Sequence, residues 1–122
     1  MPLAVRLLYG GITEELLMRW GLMTFLVWLL WRVIARRSVA PGRTLIWTAI
    51  AASAILFGLG HLPMVMASLG PLPLGLAAYV VTANATFGVV AGLLFWRWGL
   101  EAAMLAHVTA HLFAAAVAGL GS

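Results

Sequence analysis

Three short groups of acidic, basic and imidazole side chains stand out in this chain of 122 residues, because their spacing suits helices. The first group is Glu14-Glu15-Leu16-Leu17-Met18-Arg19, the second runs from Phe57 to His61, and the third runs from His107 to His111. Carboxylates and imidazoles that share a helix face can accept and donate protons around one reacting group. The three groups therefore indicate acid–base chemistry, provided that the fold brings them together.

In the first group, Glu15 and Arg19 are four residues apart, so they share a helix face and can form an ion pair. That pairing would leave Glu14 free to act as a general base. The alternative is an ordinary helix start, in which Thr13 caps the first turn and both acids favour the positive end of the helix dipole. This alternative does not account for an arginine one turn deeper.

The histidines of the other two groups have both a functional and a packing interpretation. His107 and His111 are four residues apart, which suits two metal ligands or two hydrogen-bonding groups around one substrate. Polar contact between helices is the alternative for this pair. His61 alone is as well explained by packing, with its ring bonded to a carbonyl and with Gly58 and Gly60 letting another helix approach.

The composition places these groups in a membrane. Hydrophobic residues make up 65% of the chain and charged residues only 8%, whereas about a quarter of a soluble domain is charged. This excludes an ordinary soluble domain and a disordered chain. The net charge is +4, but no stretch is basic enough to track phosphates, so nucleic-acid binding is excluded as well. With no cysteine, the chain has no disulfide, thiol nucleophile or cysteine-ligated zinc.

Four apolar stretches are each near the roughly 20 residues that a helix needs to cross a bilayer. They run from about Thr13 to Trp31 (extended upstream by Leu3 to Tyr9), from Thr44 to about Leu62, from about Leu74 to Trp96, and from Leu100 to Leu120. Pro63 is expected to end or kink the second stretch, and Arg97 and Gly99 to separate the last two. The prediction is an all-α, polytopic membrane helix bundle of about four transmembrane helices, forming a single domain over residues 1–122.

The loop arginines predict the orientation of the bundle. Five fall on one side and only Arg6 falls toward the other; the five are Arg32, Arg36, Arg37, Arg43 and Arg97. The positive-inside rule makes the five-arginine side cytoplasmic, with both termini facing outward.

The same arginines predict the depth of the three groups. Glu14 lies 18 residues before Arg32, and His61 lies 18 residues after Arg43, which is roughly 27 Å along a helix in each case. His107 lies ten residues past Arg97, or roughly 15 Å. All three groups are thus expected in the outer half of the membrane, where ionisable residues usually face a bundle interior or a wet cavity.

Two further polar residues in the helices are assigned ordinary roles. Asn84 lies mid-helix near Thr82 and Thr86, where a polar contact between helices is expected. Glu101 falls in the first turn of the fourth stretch, where the helix dipole stabilises an acid.

Together, the three groups resemble the motifs of the CAAX prenyl protease type of intramembrane protease, also called the CPBP or Abi family. The family pattern is Glu-Glu-x-x-x-Arg, then Phe-x-x-x-His, then a late His-x-x-x-Asn/Asp, on successive helices. This chain has Glu14-Glu15-x-x-x-Arg19, Phe57-x-x-x-His61 and His107-x-x-x-His111 in that order. The segment from Phe95 to Leu100 also resembles the family's approach to its last motif, and the likeness covers about Tyr9 to Leu112.

The resemblance implies an intramembrane endopeptidase that cleaves a peptide bond of a membrane-associated protein or peptide. It assigns water activation to Glu14, support and orientation to Glu15 and Arg19, proton transfer or water binding to His61, and oxyanion stabilisation to His107 and His111. It also implies a bacterial or archaeal cell membrane, with the lipid bilayer and a membrane-associated substrate as partners and no nucleic acid. Monomeric and oligomeric states are both compatible with it.

Two departures from the family pattern matter. His111 stands where the family has Asn or Asp; it can donate a hydrogen bond, but with Glu14, His61 and His107 it also completes a set that could ligate zinc. For the family motif in general, a metal-free mechanism is slightly favoured, but in this chain His111 leaves the metal-dependent and metal-free mechanisms both open. Family members also carry further helices before the Glu-Glu motif, so a minimal core, a fragment and a misassigned start at Met1 are alternatives.

Two other functions compete with proteolysis. A non-catalytic membrane module, such as a degenerate immunity protein or an assembly partner, would use the polar residues only as contacts between helices. A proton-linked carrier would use the glutamates and histidines as a relay. However, four helices are few for a carrier, and no inverted repeat is visible in the sequence.

Overall fold

The structure is a computed structural model that describes residues 2–36 and 40–120. Its helices, in chain order, are α1 (Leu3–Val33), α2 (Arg43–Gly60), α3 (Leu62–Leu69), α4 (Leu74–Trp98) and α5 (Leu100–Leu120), and these two ranges contain no strand. Four spans are long and apolar enough to cross a membrane: α1, α2 with α3, α4, and α5. The predicted all-α fold with four spans is confirmed; Arg37, one of the five loop arginines, lies outside the described residues.

Helix α1 is one continuous helix that passes through Gly10 and Gly11 without a break. It begins at Leu3, so Thr13 lies in its interior and the interpretation of Thr13 as a helix cap is wrong. Both glycines are buried against α5, where a Cβ at Gly11 would overlap the side chain of Val108. The close approach of α5 therefore accounts for the glycine pair.

Most of the first half of α1 is wound more widely than an α-helix. The segments Arg6–Glu14 and Leu16–Met23 are π-helical, with hydrogen bonds from residue i to residue i+5. In an α-helix, residues four apart point in directions that differ by about 40° around the helix axis. The wider winding makes this angle smaller. Buried residues accordingly recur at every fourth position, at Gly11, Glu15, Arg19 and Met23. The winding keeps the Glu15–Arg19 pair on the inward face.

A break at His61 separates α2 from α3. Pro63 has no N–H to donate to the carbonyl four residues earlier, and the chain turns just before it, with the N–H of His61 bonded to the Gly58 carbonyl at 3.2 Å. The predicted kink is confirmed. The short helix Leu62–Leu69 that follows was not predicted, because glycine and proline cluster only after it.

Helices α2 and α4 pack backbone against backbone through small residues. A Cβ at Gly58 would stand 2.5 Å from the Val81 carbonyl oxygen, and a Cβ at Gly88 would stand 2.9 Å from Cα of Ala54. In lipid, the hydrophobic effect does not hold helices together, so close packing of this kind must stabilise their association. Gly60 differs from the expectation: it is exposed, and a Cβ there would meet nothing within 4 Å.

The path of the chain brings the ends of several helices together. Gly99 alone connects α4 to α5, with a φ of 91° that favours glycine, so the two helices are neighbours. The first half of α1 packs on α5 and its second half packs against α2. The rings of Trp47 and Trp96 meet at 6.2 Å, so the arginine-bearing ends of α2 and α4 lie on the same side, as predicted.

The α2–α4 contact predicts a difference between two glycine substitutions in the same helix. Gly88→Ala should lower the free energy of unfolding by about 1–3 kcal/mol, because its Cβ can be accommodated only if the α2 backbone moves. Gly75→Ala is the matched control: a Cβ there meets nothing within 4 Å, and alanine is the better helix former. The measurement is reversible unfolding in mixed detergent micelles, followed by circular dichroism. Equal stabilities of the two variants would contradict the tight contact.

Candidate active site

Three charged or polar side chains from α1 and α5 form a network inside the bundle. Nε of Arg19 lies 3.1 Å from Oε2 of Glu15, and both side chains are fully buried. Oε1 of the same carboxylate lies 2.7 Å from Nδ1 of His107, which is also buried. The ion pair predicted from the spacing of Glu15 and Arg19 is confirmed. In addition, one carboxylate joins the first motif to the third.

The guanidinium of Arg19 is held by charge and by an aromatic face. Its Cζ lies 5.0 Å from the ring centroid of Phe57 on α2, a cation–π contact that strengthens when water is excluded. Within residues 2–36 and 40–120, none of its nitrogens has a hydrogen-bond partner of good geometry, so the contact with Glu15 is ionic. Arg19 therefore ties the first helix to the Phe57 end of the second motif.

The bond to Glu15 sets which way the imidazole of His107 works. An ionised carboxylate only accepts hydrogen bonds, so Nδ1 of His107 carries the proton and donates it. The other ring nitrogen, Nε2, then faces Glu14, with Oε2 of that residue 3.8 Å away. The ring is held by Phe87 and by His111, whose ring centroids lie 4.6 Å and 4.8 Å from it. His107 is thus fixed in one orientation.

His61 lies at the break between α2 and α3. Its Nδ1 is 2.8 Å from the carbonyl oxygen of Phe57, one turn earlier, which accepts its hydrogen. The ring also packs edge-on against Phe57, with centroids 4.6 Å apart. The carbonyl bond expected of a packing histidine is therefore present. Because it occupies only Nδ1, it leaves Nε2 of His61 as the nitrogen that can act on another group.

A cavity of about 260 Å³ is lined by ionisable residues from all three motifs. Of the predicted site residues, it is lined by Glu14, His61, His107 and His111. Glu15 and Arg19 stand behind it, buried. A second, smaller cavity of about 180 Å³ is lined by Tyr9, Glu14 and His61 together with apolar residues of α1 and α2. Glu14 and His61 therefore stand between two cavities.

Several residues of the larger cavity were not predicted as part of the site. They are Arg6, Tyr9, Gly10, Met64 and Asn84. Asn84 donates a hydrogen bond to the Val80 carbonyl of its own helix at 2.8 Å, whereas a bond between helices was expected. The first three lie eight, five and four residues before Glu14, a helical spacing that could have placed them beside it. Glu101 lies exposed in the first turn of α5 and does not line the cavity, in agreement with its assigned role.

Gly10 sets how closely α1 approaches the two histidines of α5. A Cβ at this position would overlap Nε2 of His111 and would stand 3.5 Å from Nε2 of His107. With any larger residue here, the ring of His111 would have to move away from α1. The narrow α1–α5 contact explains how Glu14 and the histidine pair come to share one cavity.

The geometry bears on the zinc set proposed from the sequence. Glu14, His61, His107 and His111 line one cavity, but within the described ranges no three His, Asp or Glu side chains are grouped so that they could hold one metal ion. The Nδ1 atoms of His61 and His107 donate to oxygens, and Glu15 is engaged by Arg19 and His107. These bonds leave Nε2 of both histidines available, as in metal-bound imidazoles, so the four residues would hold a zinc ion only after their side chains moved closer together.

Comparison with known proteins identifies a protein family that the chain matches. A family model described as type II CAAX prenyl endopeptidase, Rce1-like, matches residues 1–113. No curated protein and no solved structure matches the chain significantly. The family match spans all three motifs.

The buried network predicts a large difference between two arginines of α1. Arg19→Met should lower the free energy of unfolding by about 3–5 kcal/mol, because it leaves the buried carboxylate of Glu15 without its cation. The matched control is Arg32→Met in the exposed last turn of α1, which should cost less than about 1 kcal/mol. Unfolding in mixed micelles measures both. Adding Glu15→Gln to Arg19→Met should restore part of the loss; similar losses in the two single variants would contradict the network.

Proposed function

The chain belongs to the family of type II CAAX prenyl endopeptidases, and we propose that it is an integral membrane endopeptidase that hydrolyses a peptide bond with water activated by Glu14. The substrate is a membrane-associated protein or peptide. The family match supports peptidase chemistry, and the four apolar spans support its location in the membrane.

The observation that carries this proposal is the different environment of two adjacent carboxylates. Glu15 is fully buried, and both its oxygens are engaged, by Arg19 and by His107. Glu14 keeps 20% of its side chain exposed, lines the cavity, and has Nε2 of His107 3.8 Å away. A general base must reach water and a substrate, and of the two carboxylates only Glu14 meets that requirement.

The proposed reaction needs no covalent intermediate. The carboxylate of Glu14 takes one proton from a water in the cavity while the water oxygen attacks the peptide carbonyl carbon. The resulting oxyanion accepts hydrogen bonds from an imidazole N–H of His111 and from Nε2–H of His107, whose ring carries a second proton at this stage because Glu15 holds the hydrogen on Nδ1. The C–N bond then breaks, and Glu14 returns its proton to the leaving amine. A carboxyl product and an amine product result.

The buried residues position this machinery. Glu15 orients His107 through the Nδ1 bond, and Arg19 holds the Glu15 carboxylate in place through the ion pair, so Nε2 of His107 faces the reacting group. His61 is held through Nδ1 by the Phe57 carbonyl at the junction of the two cavities, where it can hold the water or pass a proton. Arg19 and Glu15 act through His107 and do not touch the substrate in this proposal.

The first test compares two glutamate substitutions. Glu14→Gln should lower kcat/KM by at least about 100-fold, because an amide cannot accept the proton from water. Glu101→Gln is the matched control, an exposed glutamate outside the cavity that should retain activity. The full chain in lipid vesicles is incubated with a pool of membrane-anchored peptides, some farnesylated and some not, and products are identified by mass spectrometry.

A third variant and a folding check complete that experiment. His61→Ala should also reduce cleavage, and the circular dichroism and elution of each variant should match the parent chain. Cleavage that persists undiminished in both Glu14→Gln and His61→Ala would overturn the proposal. It would favour a non-catalytic membrane module in which these residues only hold helices together.

The second test concerns metal. Because no three His, Asp or Glu side chains of the described residues are grouped around one point, we expect cleavage by the purified chain to survive prior treatment with 1,10-phenanthroline and not to rise when zinc is added back. The same cleavage assay measures this, and a known zinc protease provides the matched control for the chelator. Loss of cleavage with the chelator and recovery with zinc would show that the histidines rearrange around a metal.

A further inference from the structure

An apolar groove, the interfacial groove, lies between the end of α1 and the start of α2, at the arginine-bearing end of the bundle. Its volume is about 410 Å³, and none of the residues of the proposed reaction lines it. Cavities of roughly 300–1,000 Å³ are typical of sites for small molecules. The lining includes Leu30, Ile34, Ala35, Thr44, Leu45 and Thr48.

The interfacial groove becomes more apolar away from the arginine-bearing end. Helix α1 ends and α2 begins at that end, so Leu30 and Thr48 are the lining residues that lie farthest from it. The hydroxyl of Thr48 donates to the Thr44 carbonyl of its own helix at 2.8 Å, so its hydrogen is already bonded within α2. The deeper part of the groove therefore suits a hydrocarbon chain.

Two arginines flank the outer end of the groove without an acidic partner. Arg36 directly follows one lining residue, Arg43 stands between two others, and both are exposed. Within the described part of the chain, neither guanidinium forms an ion pair with an acidic side chain or donates a hydrogen bond. No acidic residue occurs in the sequence between Glu15 and Glu101. The outer end of the groove thus carries positive charge that no acid of this region offsets.

Local structure accounts for neither arginine. Arg36 has a φ of 47°, a backbone conformation that glycine and asparagine adopt more readily. Arg43 is the first residue of α2, where the helix dipole makes a cation unfavourable. The positive-inside rule explains why arginines lie on this side of the membrane, but it does not explain why two of them flank one apolar groove.

We propose that the interfacial groove binds an anionic phospholipid of the surrounding bilayer, with the phosphate between Arg36 and Arg43 and an acyl chain along the apolar lining. A guanidinium presents parallel N–H groups that match two phosphate oxygens, and basic pockets between membrane helices bind anionic head groups. The groove has the polarity of a lipid, because its charge lies at the membrane surface and its apolar part lies deeper. The bound lipid connects the first two spans, and its binding does not depend on peptidase activity.

The test compares two short-chain lipids that differ only in their head groups. The full chain in micelles of a neutral detergent is titrated with dioctanoyl phosphatidylglycerol, which is anionic, or with dioctanoyl phosphatidylcholine, which has no net charge. Native mass spectrometry counts the bound lipid. Phosphatidylglycerol should bind about 10- to 30-fold more tightly, because two arginines attract its charge, and added salt should weaken this preference. Equal affinities for the two lipids would overturn the proposal.

Three charge variants locate the head group. Arg36→Asn and Arg43→Gln should each reduce the preference for phosphatidylglycerol about fivefold. Arg36→Asn should fold at least as well as the parent chain, because asparagine suits the backbone at this position. Arg6→Gln is the matched control: it removes the same charge near the start of α1, at the opposite end of the bundle, and should keep the preference. An equal loss in Arg6→Gln and in the other two variants would show that net charge alone attracts the lipid.

A pair of alanine substitutions tests the apolar part of the site. Ala35→Trp fills the interfacial groove and should weaken phosphatidylglycerol binding at least about tenfold, because several methylene groups lose their apolar contacts. Ala102→Trp, in an apolar groove between α4 and α5 that no charged residue lines, is the matched control and should bind as the parent chain does. Circular dichroism checks the fold of each variant, and the arginine variants test the site independently of Ala35→Trp.

Other occupants of the groove give different results in the same assay. Inorganic phosphate should not displace the lipid, because it has no acyl chain; displacement by phosphate, or full binding by a folded Ala35→Trp, would identify a site for a free anion. A chain that dimerises and binds no lipid would show that a second copy covers the groove. Either result would overturn the lipid site and leave the proposed peptidase reaction untouched.

Discussion

An arginine, a glutamate and a histidine buried together among apolar helices constrain everything else in this structure. In lipid, an uncompensated charge is very costly, so Arg19, Glu15 and His107 must stay in contact once the helices have associated. Because the first two lie on α1 and the third lies on α5, their contact holds two distant parts of the chain side by side. The cavity beside Glu14 exists because these helices meet there.

Small residues allow the charges to meet. Gly10 lets the rings of His107 and His111 lie against α1, and Gly58 and Gly88 let α2 and α4 pack backbone to backbone. In a membrane, close packing and polar contacts replace the hydrophobic effect as the cause of helix association. Gly58 and Gly88 therefore serve folding, whereas Gly10 also serves the site, because it removes a side chain from the place where two imidazoles approach α1.

This packing gives the adjacent carboxylates of Glu14 and Glu15 different environments. Successive side chains on a helix point in different directions around its axis, so when Glu15 faces the buried arginine, Glu14 points to the edge of the bundle and meets the cavity. The wide winding of α1 keeps Glu15 and Arg19 aligned over a full turn. One carboxylate is thereby held as part of the framework while its neighbour stays accessible to water, a division of roles that acid–base catalysis needs.

Much of the fold could be predicted from the sequence, because hydrophobic length and helical spacing are local properties. The four spans, the kink before Pro63 and the pairing of Glu15 with Arg19 all follow from residues close together in the chain. The π-helical winding does not, since it depends on how neighbouring helices pack, and neither does the short helix Leu62–Leu69, since the glycines and prolines that mark the turn come only after it. Thr13 shows where prediction from nearby residues fails: threonine is a residue type favoured at helix N-caps, yet Thr13 lies inside α1.

The sequence by itself determined that this chain resides in a membrane and which residue types are available for chemistry, since in so apolar a chain the few polar side chains are conspicuous. Only the tertiary structure decided how those side chains are used. In the folded chain, one oxygen of Glu15 pairs with Arg19 and the other accepts a hydrogen bond from His107. His61 donates to the Phe57 carbonyl, and Arg6 lines the same cavity as Glu14. The physical reason is that a hydrogen bond or an ion pair requires a distance of a few ångströms between residues far apart in sequence, and only the packing of the helices sets that distance.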